Sequence, residues 1–289
     1  MGKNRGGYTL IEVMIFLAVS GAIFASAVLL VSGQQGRTQF QQSMRDLNSK
    51  IQNSISEVKT GFFLTGGDAQ CTVDPNTFNI TLSNPGTSEQ GSNEQCIYLG
   101  KAFQAIDGEE KIYIYNVVGS RLYKPSASSN ATATAEKFKD TNPQPIFPTD
   151  TGSIDLTEEY DITYGSTVSS SKVLNGGSMS DSDLVGFYQS LEDEVGNKID
   201  IDSDTDLETV NGTQSIFTLG YSQSPGAPRD QMIRTCIRGA NPSCSNFVVQ
   251  RWELCIQSQT SEQSAKITVT TTVAGVGTQL EIMGGSDCT

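Results

Sequence analysis

From Tyr8 to Gly36 the chain reads YTLIEVMIFLAVSGAIFASAVLLVSGQQG, and Glu12 is the only charged residue in it. Within Val13–Val31 every residue is apolar except Ser20, Gly21 and Ser26. At helical rise that stretch covers about 28 Å, one bilayer hydrocarbon core. Lys3 and Arg5 precede it, with no acidic residue before Glu12. A positive flank of this kind stays on the cytoplasmic side. The expectation is a single-pass helix held in the cytoplasmic membrane.

Glu12 is costly where it stands, because a carboxylate in an apolar helix opposes insertion by about 3 kcal/mol near the bilayer centre and by less near an end. One reading lets it snorkel to the headgroups. The other has it neutralise a positive charge inside an assembly. A cut between Gly7 and Tyr8 would create such a charge, a free α-amino group, close by.

The order Gly6-Gly7-Tyr8-Thr9-Leu10-Ile11-Glu12-Val13 resembles the type III signal of type IV prepilins and of the pseudopilins of type II secretion. In that family a short basic leader ends in Gly, the mature chain opens on an aromatic residue, usually Phe, and its fifth residue is Glu. Tyr8 in place of Phe is a mild departure. The resemblance implies cleavage between Gly7 and Tyr8 by prepilin peptidase and N-methylation of Tyr8. It also implies packing of the helix into a filament core, with Glu12 facing a neighbour's Tyr8 amine. Implied partners are the membrane, other pilin subunits, the peptidase and an inner-membrane assembly platform. The implied end state is a fimbrial filament on the cell surface, of the kind used in cell adhesion. Gly21 matches a helix-softening glycine of major pilins, whereas Leu29 stands where many have Pro, which removes a Pro-dependent kink.

Two other readings compete. Ala25-Ser26-Ala27 satisfies the small-residue rule of a secretory signal peptide, but Glu12 lies at the head of the apolar run and helical periodicity continues past Ala27. A plain membrane anchor would keep its leader. The mature chain starts at Tyr8, at Val28 or at the intact leader respectively.

Phe40, Met44, Leu47, Ile51, Ile55 and Val58 recur at spacings of three and four, one apolar stripe on an otherwise polar helix. The predicted organisation is a leader at 1–7, a transmembrane and filament-core helix at 8–33, and its amphipathic half at 34–60. Gly33 and Gly36 are its weak points, and Gly61 marks the stop.

Beyond Phe62 short β-rich runs alternate with turn residues. Strands are predicted at Thr77–Leu82, Cys96–Phe103, Lys111–Val118, Tyr160–Tyr164, Ser215–Tyr221, Phe247–Gln257, Lys266–Val273 and Gln279–Met283. With no long helical pattern between consecutive strands, the sheet should be antiparallel. The fold class is therefore α+β, a long N-terminal helix on an antiparallel sheet, with residues 61–289 as one disulfide-bonded domain. Segments 124–153, with four prolines, and 165–183, rich in Ser and Gly, read as long loops.

The chain has 289 residues, a net charge of −13, no histidine and six cysteines. Absence of His removes Ser-His-Asp and Cys-His arrangements and His-bearing zinc sites. With 19 basic against 32 acidic residues, no nucleic-acid partner is expected. Loss of the leader takes the charge to −15, since 17 cations remain against 32 acids. Cys71, Cys96, Cys236, Cys244, Cys255 and Cys288 lack C-x-x-C spacing and fit extracellular disulfides. Fifteen pairings are open; the favoured one is Cys71–Cys96, Cys236–Cys244 and Cys255–Cys288, the last similar to the C-terminal disulfide loop of many pilins.

One stretch could take a metal. Glu192–Glu208 holds eight carboxylates and one Lys, with Asp200, Asp202, Asp204 and Asp206 alternating. It is read either as a solvated acidic face or as oxygen ligands for Ca²⁺, and it lacks the glycine and distal Glu of an EF-hand. The resemblance to pseudopilins, which use acidic loops for Ca²⁺, adds some weight to the second reading, but the solvated face stays the preferred one; no other cofactor is indicated. No catalytic constellation is recognisable, so the chain reads as a structural subunit and not as an enzyme. Its size and long loops point to a minor pilin or pseudopilin. The alternative is a membrane-anchored or secreted binding protein or hydrolase with a pilin-like N-terminus.

Overall fold

The computed structural model describes residues 9–61, 70–74, 79–83, 95–123, 133–135, 138–147, 157–175, 177–190, 216–221, 229–238, 244, 246–272, 275–285 and 288. One helix, α1, runs unbroken from Leu10 to Thr60, 51 residues and about 76 Å. It passes Gly21 and Gly36 without interruption, and a Cβ at either would meet open space. With Leu29 in place of a proline, the backbone hydrogen-bond ladder has no forced gap there. Gly61 ends the helix in the left-handed region at φ 65°, its N–H returning to the Glu57 and Val58 carbonyls.

The strands follow in chain order: β1 (Gln70–Val73), β2 (Ile80–Ser83), β3 (Cys96–Ala105), β4 (Lys111–Ser120), β5 (Leu122–Tyr123), β6 (Ala133–Thr134), β7 (Gln144–Pro145), β8 (Thr157–Asp161), β9 (Ser166–Asn175), β10 (Ser178–Asp181), β11 (Leu184–Gln189) and β12 (Ile216–Tyr221). A short helix α2 (Arg229–Ile237) precedes β13 (Asn246–Val248), β14 (Arg251–Ser258), β15 (Gln263–Thr272) and β16 (Gly275–Gly284). A seven-stranded sheet has the order β13-β12-β11-β3-β4-β7, with β8 also on β4; a five-stranded sheet runs β10-β9-β14-β15-β16. Every pairing is antiparallel. The α+β class follows from the helical stripe and from the succession of strands after it.

The core lies where α1 meets both sheets. Phe40, Met44, Leu47, Ile51, Ile55 and Val58 are at most 6% exposed and pack with Phe103, Ile114, Phe187, Trp252, Leu254 and Ile267. Each such side chain stabilises the docked helix by about 2 kcal/mol. The period-2 alternation of strands sends the other residues of the seven-stranded sheet to its opposite face. There Leu99, Tyr115, Tyr188 and Phe217 are covered by Phe138, Phe147 and the α2 residues Ile233 and Ile237. The sheet is therefore buried on both sides.

Three expectations need correction. Segment 165–183, read as a loop, is the β9–β10 hairpin. Val168 and Val173 point into the core, and Ser171 is buried because its hydroxyl accepts the Trp252 Nε1 hydrogen bond at 2.9 Å. Serine content misleads here, since a ladder satisfies the backbone whatever the side chain. Within 124–153 the described residues are not a bare loop: they form β6, a 3₁₀ turn at Phe138–Thr141 and β7, and bury Phe138, Ile146 and Phe147. Finally, the run Phe247–Gln257 is two strands. At Val249 the backbone still donates to Thr218 of the first sheet, while Gln250 already donates to Leu174 of the second.

Three disulfides join the pairs Cys71–Cys96, Cys236–Cys244 and Cys255–Cys288, with Cα separations of 6.3, 5.3 and 6.0 Å. They tie β1 to β3, α2 to the approach of β13, and β14 to the chain beyond β16.

Candidate assembly site

The stem begins with a local device. Thr9 is the N-cap of α1, in extended conformation, and its hydroxyl accepts the Glu12 backbone N–H. The Glu12 carboxylate in turn accepts the Thr9 backbone N–H at 3.3 Å. This reciprocal pair is a capping box, which satisfies two of the donors that a helix start leaves open. Its signature, Thr-x-x-Glu before an apolar run, stands in the sequence at Thr9–Glu12. Glu12 thus has a structural reason to sit in the first helical turn, and its charge also favours the positive end of the helix dipole.

Around Glu12 the apolar side chains are exposed. Leu10 is 80% exposed, Phe16 71% and Phe24 72%, and the whole span Leu10–Ala27 is unburied. Exposure on this scale means a non-aqueous surrounding or a partner. Gly7 and Tyr8, the expected processing positions, lie outside the described residues.

The outer half of the helix is fixed differently. Lys101 on β3 is 2% exposed, and its ammonium lies 2.6 Å from Glu57 Oε2 and 2.7 Å from Glu158 Oε1. Lys50 bonds the other oxygen of Glu158. Charges therefore alternate Lys50–Glu158–Lys101–Glu57 and join two turns of α1 to β3 and β8. Burial works to raise the Glu158 carboxyl, but its bonds with Lys101 and Lys50 outweigh that and hold it below the ordinary carboxylate value. At the helix end the Gln189 amide of β11 donates to the Val58 carbonyl. None of these long-range partners could be read from spacing.

The Tyr188 and Tyr221 hydroxyls are 2.8 Å apart but wholly buried, and desolvation pushes both above the ordinary phenol value. They form a core hydrogen bond without access to a substrate. Trp252, 1% exposed, is core. Asp200, Asp202, Asp204 and Asp206 lie outside the described residues; among the described residues no group of three His, Cys, Asp or Glu could hold a metal.

A bare apolar helix, capped at its start and continuous with a disulfide-stapled antiparallel domain, defines a helix-anchored α+β protein whose stem is its sticky part. Residues 2–28 match the family model of the prokaryotic N-terminal methylation motif. The match indicates a type IV prepilin-like N-terminus and covers that segment alone, and Leu10–Ala27 is long and apolar enough to cross a membrane. No curated protein and no solved structure matches the chain significantly.

Proposed function

We propose that this chain is a minor pilin or pseudopilin, a structural subunit of a type IV pilus or a type II secretion-like filament. Prepilin peptidase cuts between Gly7 and Tyr8, and Tyr8 becomes the N-methylated first residue. Before assembly the chain is single-pass in the cytoplasmic membrane, and an inner-membrane platform hands it to the filament, which carries the acidic domain to the cell surface. The observation that carries this reading is the position of Glu12. It is the sole charge of the stem, it sits in the first turn, and cleavage places a new ammonium four residues before it.

In the stacked filament that carboxylate meets the Tyr8 amine of a neighbour inside an apolar core, where an unmatched charge costs several kcal/mol. The domain of more than 200 residues and its two covered sheet faces suit a low-copy subunit better than a closely repeating one. The test is the N-terminal sequence and mass of the chain recovered from sheared filaments. A methylated Tyr8 start supports the reading; a start at Val28, or an intact leader, overturns it.

A further inference from the structure

We infer that the turn between β14 and β15 forms, together with Tyr164, a binding site for a neutral saccharide. This goes beyond the filament reading and does not rest on it. Residues 257–263 read Gln-Ser-Gln-Thr-Ser-Glu-Gln, an unbroken polar run in which Glu262 is the one charge. With Gly285 they line a cavity of about 380 Å³, at the lower end of the range that holds small molecules. The lining chemistry selects the ligand. Among the described residues it contains no Lys or Arg to hold an anion, no second carboxylate to hold a metal ion and no apolar side chain to hold a lipid tail. Ser258 shapes the turn itself, its hydroxyl accepting the Thr260 and Ser261 backbone N–H groups at 3.3 and 3.0 Å. The Gln257, Gln259 and Gln263 amides, the Thr260 and Ser261 hydroxyls and the Glu262 carboxylate remain. Groups that donate and accept side by side match an uncharged molecule dense in hydroxyls.

Two observations set this corner apart from an ordinary polar turn. The first is unmet hydrogen bonding. Gln263 Oε1 is buried and receives no hydrogen bond from the described residues. Ser166, wholly buried and across the ladder from Ser258, has a hydroxyl in the same condition. Buried polar atoms are normally satisfied, so a ligand hydroxyl that donates to Gln263 removes a penalty already present in the free protein. The second is Tyr164. Its backbone is left-handed at φ 63°, with Gly165 following at φ 62°, and its side chain is 44% exposed. A bulky residue rarely adopts this conformation, and such strain gathers at binding and catalytic sites. The strained turn is tied to the hairpin: the Gln259 N–H donates to the Gly165 carbonyl at 2.9 Å, and the Thr260 hydroxyl to the Tyr164 carbonyl at 3.5 Å. An exposed aromatic residue is thereby fixed beside a polar cavity. A phenol ring packs on the C–H face of a sugar while its hydroxyl stays wet, and the amides and carboxylate take the sugar's hydroxyls. On a chain of net charge −13 a neutral sugar enters without the repulsion an acidic one meets.

The experiment uses the full-length chain in phosphatidylcholine nanodiscs, so that no sugar-headed detergent competes. Saturation-transfer NMR is recorded with maltose, cellobiose, lactose and N,N′-diacetylchitobiose, each at about 10 mM, which reveals millimolar dissociation constants. At least one of them is expected to give a signal, with its Kd raised at least tenfold by Tyr164→Gly and by Gln263→Ala. Glycine suits the left-handed backbone, so Tyr164→Gly removes the ring and leaves the turn unharmed. Thermal midpoints report whether each variant keeps its fold, and Gln259→Ala replaces Gln263→Ala should the latter misfold. A signal from none of these sugars, or one that either folded variant leaves unchanged, overturns the inference, as does tighter binding of glucuronic acid than of every neutral sugar. N-terminal sequencing of the same sample tests the filament reading separately, because a start other than Tyr8 sinks that reading and leaves the sugar site standing.

Discussion

Lys101 Nζ lies 2.7 Å from Glu158 Oε1 although the residues are 57 positions apart, and this pair anchors the charge chain that locks α1 to the domain. Lys101 is buried while Glu158 is 30% exposed and keeps Lys50, so removing Lys101 costs its two charge-assisted bonds, about 1.5–3 kcal/mol each, rather than the full cost of a stranded buried charge. Lys101→Ala is therefore expected to lower stability by about 3 kcal/mol in denaturant unfolding. Coupling to Glu158→Gln in a double-mutant cycle should be clearly non-additive; additive losses would mean the pair does not act as a unit.

The same cluster sets an acid limit. Glu158 is held below its unfolded value, so its stabilisation is complete above the ordinary carboxylate range and is lost as pH falls through the folded-state value. Unfolding midpoints should drop below about pH 4, and Glu158→Gln should flatten that drop. An unchanged acid slope would show that other carboxylates govern it.

Asp183 behaves oppositely. Desolvation first, then the charges of Asp181 and Asp107, raise its carboxyl, so the ionised form opposes folding above the unfolded value. Asp183→Asn is expected to raise the thermal midpoint at neutral pH, with the gain vanishing in acid. A loss at neutral pH would contradict this.

Gly100 leaves no room for a side chain: at φ 152° a Cβ would stand 2.0 Å from the Phe187 carbonyl oxygen. Backbone on both sides must move to admit it. Gly100→Ala should prevent folding or cost more than about 4 kcal/mol, read by the yield of fully disulfide-bonded protein; wild-type yield and stability would refute the contact.

Glu12 performs two tasks that substitutions can part. Glu12→Gln keeps the capping oxygen for the Thr9 N–H but loses the charge, whereas Glu12→Ala loses both. Processing should persist in both variants, and incorporation into filaments should fall at least tenfold in both if charge pairing dominates. Normal incorporation of Glu12→Gln would leave helix capping as the only role.

Local chemistry explains what was legible beforehand. The stem, the stripe Phe40 to Val58 and the strand predicted at Lys266–Val273 follow from local composition and period, which any stretch carries within itself. Serines hid the β9–β10 hairpin because composition records solubility, while Ser171 is buried through its bond with Trp252. Helix α2 went unseen because nine residues hold too few turns to show a stripe.

By itself, then, the order of residues determined an apolar stem with one acid in its first turn and a helix with a single face to bury, since both are properties of near neighbours. The partners of that face were decided only in three dimensions. Which strand receives Lys50 and Glu57 and which sheet Val249 leaves depend on contacts between residues far apart in the chain. No local pattern encodes them, because a strand's periodicity states which side it buries and is silent on what lies beside it.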